Sequence, residues 1–170
     1  MHRFVQSLAR LTALLGGLVL VGLVIMSTVS VTGRAIGLGE IYGNYEVLEA
    51  GIAFAIFSFL PVTQLYGAHA SVDVFTSFLS PRVNRWIVAF WEVVLMAVIL
   101  LIVWRLYEGT LSHYKRGGTT NFLQFPLWWP YTASFLAGIV ASVTAIYCAV
   151  LRIGEAVQGR DILPSEHAEH

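Results

Sequence analysis

Residues 11–33 read LTALLGGLVLVGLVIMSTVSVTG, 23 positions without a charge, bounded by Arg10 on one side and Arg34 on the other. A helix rises about 1.5 Å per residue and a bilayer's hydrocarbon core is about 30 Å thick, so about 20 apolar residues reach across it. This run is long enough. Arg3 and Arg10 ahead of it also suit a secretory leader, but a leader's apolar core runs to only about 7–15 residues and ends at a small-residue cleavage site. No clear Ala-x-Ala follows, so the run is expected to stay in place as a first transmembrane helix.

The remainder of the chain agrees with a membrane setting. Hydrophobic residues make up 57% of the 170 and charged residues only 12%, against about 25% charged in an ordinary soluble domain. Three more apolar runs follow, at about 45–66, 86–107 and 131–151. The second has an uncharged core from Ala50 to Leu65 and needs the turn holding Glu46 and Glu49 to reach full length. Pro61 is placed to bend it near its end. The third carries one internal charge, Glu92, and the fourth stops ahead of Arg152. The expected fold is an all-α membrane protein, four transmembrane helices packed as one domain over residues 1–160, with a mobile tail over 161–170.

Punctuation and flanks support these boundaries. Gly37, Gly39 and Gly43 follow the first run, while Gly117, Gly118, Pro126 and Pro130 break the third connection. Aromatic residues mark the interfaces: Tyr42, Tyr45, Trp86, Trp91, Trp104, Tyr107, Trp128, Trp129 and Tyr131. In the second connection, Val72, Phe75, Phe78 and Leu79 recur at helical spacing before Pro81. They predict a short amphipathic interfacial helix between helices two and three; a plain surface turn is the alternative. Arg3, Arg10, Arg82, Arg85, Arg152 and Arg160 fall on the side of the termini, and Arg34, Arg105, Lys115 and Arg116 on the other. That bias places both termini in the cytoplasm and connections one and three in the periplasm.

Little in the chain suggests catalysis. The formal net charge is +0 and Cys148 is the single cysteine, so neither a nucleic-acid field nor an intrachain disulfide is implied. None of His2, His69, His113, His167 and His170 sits mid-span, which disfavours a haem protein. His167 and His170 could hold a metal, but a solvated tail is the plainer reading. No zinc-protease, hydrolase or phosphate-loop motif occurs. The chain is therefore read as a non-enzyme, with no cofactor or metal of its own.

Intramembrane charge is costly and usually purposeful. Glu92 lies about 10 Å deeper than Arg85 along its helix and suits a proton or cation relay. The plainer and preferred alternative is that it pairs with a polar group on a partner or snorkels to the interface. Arg34 is a plausible partner for Glu46 and Glu49, and Arg105 can pair with Glu108 on its own helix. Lys115 and Arg116 complete the candidate anchoring or docking charges. On helix four, Ala133, Ala137, Ala141, Ala145 and Ala149 recur every fourth residue beside Ser134, Gly138 and Ser142. A stripe of small side chains lets another helix approach closely, either within the chain or on another subunit.

Two short segments carry a resemblance. Gly67-Ala68-His69-Ala70-Ser71-Val72-Asp73 follows helix two. Gly118-Thr119-Thr120, then Phe125-Pro126-Leu127-Trp128-Trp129-Pro130, precedes helix four. In these motifs and in hydropathy order, residues 1–155 resemble the small integral-membrane subunit of tripartite ATP-independent periplasmic (TRAP) transporters. His69, Asp73, Gly118, Thr119, Thr120, Pro126, Trp128 and Pro130 are the motif positions matched. A basic residue often precedes the Gly-x-His segment in that family, and Tyr66 stands there in this chain. The resemblance implies a subunit of a sodium-driven transporter for organic acid uptake in the bacterial inner membrane. Its partners would be a large polytopic membrane subunit, which holds the substrate and sodium sites, and a periplasmic substrate-binding protein. This chain would brace the first and help dock the second through Arg34–Asn44 and Gly109–Pro130, with no substrate site of its own. Alternatives are a self-sufficient proton-coupled small transporter using Glu92, or a membrane anchor of another complex.

Overall fold

The computed structural model describes residues 2–66 and 81–158. Four helices follow one another: α1 (His2–Ala35), α2 (Asn44–Leu65), α3 (Pro81–Arg116) and α4 (Trp128–Gln158). Each is long and apolar enough to cross a membrane, and the chain is an all-α, multi-pass membrane protein. Lipid offers nothing to a bare N–H or C=O, so an apolar run must satisfy its own backbone, and a helix does so within one segment. The expected amphipathic helix at 71–79 lies outside the described residues, as do His69, Asp73 and the tail at 161–170.

Eight hydroxyl side chains obey the same rule. Thr12, Thr28, Ser58, Thr63, Thr110, Thr132, Ser142 and Thr144 each donate to the carbonyl one turn back, at 2.7–3.2 Å. A hydroxyl bonded in this way adds no unmet donor to the hydrocarbon. Helix α2 runs on through the buried Pro61 and closes at Tyr66, whose N–H donates to the Val62 carbonyl at 3.1 Å.

The packing centres on α4, which lies along both α2 and α3 and touches α1, while α1 lies along α2. Helices α1 and α3 therefore take the flanks. The α4 stripe faces inward: Ala137, Ala141, Ala145 and Ala149 are all buried, with Ala133 half-buried at its start. Ala141 and Ala145 meet Ile99 and Val103 of α3 and Leu60 of α2 in one cluster. Cys148 meets Val5 and Ala9 of α1 and Leu65 of α2 in another. The stripe is thus covered by the chain's own helices.

Helix α1 buries Ala9, Gly16, Leu23 and Ser30, one residue every seven. A seven-residue interval keeps one seam on a neighbour when two helices coil left-handedly. At Gly16 the seam is closest, since a Cβ there would sit 2.7 Å from the Ser58 Cβ of α2. Leu14, Leu18, Val24 and Ile25, on the rest of α1, are exposed, as lipid-facing residues are.

The helices reach further than hydropathy suggested. Helix α3 continues to Arg116, so residues 109–116 of the expected third connection are helical and only 117–127 form the loop. The helix carries Gly109 in its interior and ends only at Gly117, which adopts φ 65°. Past the hydrocarbon, polar residues are no penalty to helical structure. Substituting Ala141→Leu, at the buried centre of the stripe, is expected to destabilise the chain by about 1–3 kcal/mol through overpacking. Val150→Leu, on the exposed side of α4, should leave the thermal midpoint in mild detergent unchanged. Equal midpoints for both variants would refute a tight seam.

Candidate functional site

The loop end of the molecule, opposite the termini, is built on one carboxylate. After α3, Gly118 to Leu127 turns back on itself. The Leu127 N–H donates to the Gly118 carbonyl and the Thr120 N–H to the Phe125 carbonyl, both at 3.0 Å, and Thr119 bridges Pro126. At the tip Gln124 takes φ 57°, and its side-chain amide donates to the Asn121 carbonyl at 3.0 Å. Those bonds leave the Phe122 and Leu123 N–H groups pointing away from the hairpin. Glu46, in the first turn of α2, accepts both: Oε1 from Phe122 at 2.8 Å and Oε2 from Leu123 at 2.9 Å. A carboxylate accepting two backbone N–H groups makes a charge-assisted fork.

Connection one packs against the same tip. The Tyr42 and Phe122 rings meet edge to face at 5.4 Å. Gly43, which starts α2, has φ 73°, and a Cβ there would lie 2.3 Å from the Leu123 Cγ. Only glycine suits both the left-handed turn and the space. The Ile41 N–H donates to the Ser30 hydroxyl at 3.1 Å, tying this connection back to α1. Arg34 pairs not with Glu46 or Glu49, as the sequence suggested, but with Glu40 at 2.6 Å. Connection one folds back over the end of α1, which brings Glu40 within reach, while the hairpin's N–H groups occupy Glu46. Glu49 is exposed, and the chain supplies it no cation among the described residues.

Around this lock stand the interfacial aromatics. The His113 ring lies 4.5 Å from Tyr131, and Tyr114 meets Trp128 edge to face at 5.6 Å. They join the last turn of α3 to the first of α4, and the motif residues Trp128 and Pro130 belong to that turn of α4. Lys115 and Arg116 end α3 in exposed positions. Arg105 and Glu108 pair at 3.0 Å on the outer face of α3.

At the termini end a second polar group is buried. Glu92 of α3 is 7% exposed and accepts from the Gln64 amide of α2. The Arg152–Glu155 pair of α4, 2.9 Å apart and almost wholly covered, lies close enough to act on Glu92 electrostatically. The Cys148 thiol donates to the Gln64 carbonyl at 3.6 Å. The preferred sequence reading pairs Glu92 with a polar group on a partner, and in the structure that group is the Gln64 amide on a neighbouring helix of the same chain. The missed cation was Arg152. Its i,i+3 spacing with Glu155, the same as that of Arg105 and Glu108, lies beyond the end that hydropathy gives helix four at Leu151.

Beside this cluster, Tyr66 accepts from Arg10 at 3.1 Å and from Gln6 at 3.4 Å. Both donors, Arg10 first, hold the Tyr66 phenol below its ordinary value. A guanidinium thus stands next to the position where a basic residue was expected, supplied by α1.

Comparison with known proteins gives one match. The family model described as tripartite ATP-independent periplasmic transporters, DctQ component, matches residues 23–155. No curated protein and no solved structure matched the chain.

Two outcomes test this geometry. Glu46→Gln keeps the size of the side chain but weakens the fork, so amide exchange at Phe122 and Leu123 should accelerate about tenfold or more; unchanged protection would show that the hairpin holds itself. Glu92→Ala should cost about 1–3 kcal/mol of stability by stripping the Gln64 amide of an acceptor, and Glu92→Gln should cost less. A denaturation series in detergent that ranks the two equally would rule out the contact as a helix tie.

Proposed function

From the premise that the chain belongs to the DctQ-component family of tripartite ATP-independent periplasmic transporters, and so is a small membrane component of such a transporter, we propose that it braces the large transport subunit and helps to dock the periplasmic substrate-binding protein. The transporter is a sodium-driven importer of an organic acid, and its sodium and substrate sites lie in the large subunit. In this reading the chain sits in the inner membrane with both termini cytoplasmic, and the end carrying the Gly118–Leu127 hairpin faces the periplasm.

The observation that carries the proposal is the Glu46 fork. It holds two connections as one preformed surface, as a docking platform requires, because a loop ordered before contact loses less entropy on binding. Lys115 and Arg116 stand exposed at its edge, where they would steer an acidic partner. The charges within the described spans support the same division of labour. Glu92, Arg152 and Glu155 are engaged with neighbours in the chain, an arrangement suited to joining helices rather than to carrying an ion. The large, lipid-exposed flanks of α1 and α3 offer surface for a membrane partner. Neither the family nor the site points to an enzyme.

The test is to purify the tagged chain from native membranes, identify what accompanies it, and assay uptake by the reconstituted complex. A stoichiometric polytopic partner is expected. Charge reversal at Lys115 and Arg116 should raise the binding-protein concentration needed for half-maximal uptake by about tenfold, while the membrane complex stays intact. Uptake by this chain alone would overturn the bracing role, and an unchanged concentration dependence would overturn the docking role.

A further inference from the structure

A cavity of about 430 Å³ opens beneath the hairpin, between α2, α3 and α4. Glu46, Glu49, Ala53 and Phe57 line it from one face of α2, with Leu106 of α3 and Ser134 of α4 opposite. Its polar groups are not spread evenly. The two carboxylates and the hairpin's Thr119 and Asn121 ring the loop end. From Glu46 to Phe57 the wall descends roughly 16 Å along the helix, and it becomes apolar. No basic side chain lines the cavity among the described residues.

Two lining hydroxyls, Thr120 in the hairpin and Ser134 on α4, meet no geometric hydrogen-bond partner among the described residues, and Ser134 is the one on a helix wall. It is buried to 2% exposure, it lines this cavity, and its hydroxyl has no hydrogen-bond partner among the described residues. Eight other serines and threonines of the helices bond to the carbonyl one turn back. A buried hydroxyl left unpaired in a membrane protein is costly. Its position at the apolar wall calls for an acceptor arriving from outside the chain.

We propose that this cavity is a binding site for an aminophospholipid of the same leaflet, with the primary ammonium between Glu46 and Glu49 and a glycerol-ester oxygen accepting from Ser134. A primary ammonium has three donors. Glu49 is uncommitted and accepts from the ammonium directly, while Glu46, already engaged by the hairpin's donors, contributes its negative charge. The Asn121 amide supplies a donor at the level of the lipid phosphate, and an acyl chain follows Ala53, Phe57 and Leu106 toward the bilayer centre. A lysine side chain from a protein partner fits less well. It carries one polar group at its tip and would satisfy the carboxylates while leaving Ser134 unpaired. The lipid places polar atoms at both depths. The site shares Glu46 and the hairpin with the docking surface proposed above, but its test reads lipid retention through Glu49 and Ser134, which the docking role does not use.

The experiment is lipid retention by the full chain, purified in mild detergent after exchange into equal amounts of phosphatidylethanolamine, phosphatidylcholine and phosphatidylglycerol, and read by native mass spectrometry. Phosphatidylethanolamine should be enriched over both others, since the choline group has no N–H and the glycerol head no positive charge. Glu49→Gln should reduce that retention about tenfold and Ser134→Ala about threefold. Both side chains can be changed with little effect on packing, and thermal midpoints close to wild type would verify it. Equal retention of the three lipids, or a preference that survives both variants, would overturn the site. Absence of the preference together with loss of a co-purifying protein in Glu49→Gln would overturn it in favour of a partner's cation.

Discussion

Helices in lipid gain nothing from hiding apolar surface from one another, because the lipid is as apolar as they are. Contact must come from closeness, and closeness needs small side chains. The rest of this molecule depends on where they are. Ala137, Ala141, Ala145 and Ala149 make α4 slender enough to be met by α2 and α3 along its length and by α1 near its end. The flanking helices keep their bulky residues on the outside, where lipid or a protein partner can take them. Replacing the stripe by leucines would push α2 and α3 apart and, with them, the groups at both ends.

Those ends are held by polar contacts that the stripe brings within reach. On the loop side, one carboxylate on α2 receives two N–H groups from a hairpin joining α3 and α4. On the other, Glu92, Gln64 and the Arg152–Glu155 pair join α3, α2 and α4. The two differ in kind. The fork orders a surface, because its acceptor is on a helix and its donors on a loop. The buried cluster orders helices against one another, and its charges sit where a desolvated carboxylate is tolerable only with donors and a cation nearby.

Hydropathy made the four spans legible because the energetic signal is large and local: a run of apolar residues in lipid has a single good conformation. Glu92 was visible as a charge in a span for the same reason. Its partners were not, because Gln64 and Arg152 lie on other helices, and sequence spacing says nothing about contacts between helices. The Arg34 assignment failed for a related cause. Arg34 and Glu46 stand close along the chain's path, but the turn at Gly37 and Gly39 carries Glu40 back instead. The length of α3 was underestimated since hydropathy registers lipid, whereas helix ends are set by breakers, and the breaker is Gly117. The α4 stripe could be read, but which helices cover it could not, because a small residue is equally suited to a neighbour in the chain or in another subunit. Ser134 looked like one more member of that stripe. Only its place beside a cavity sets it apart.

The depth of each feature connects these observations. The buried charges are tied down near one end, the ordered surface lies at the other, and the middle of the molecule is small-residue packing. A protein that carries a solute must offer polar groups near the bilayer centre and change which side they face. Close-packed seams resist such rearrangement, since close-packed interiors yield in steps rather than smoothly. The same rigidity is useful to a brace. In the proposed bracing role a moving partner would shift against something that does not follow it, and four helices clamped at both ends and seamed along the middle would provide that fixed frame.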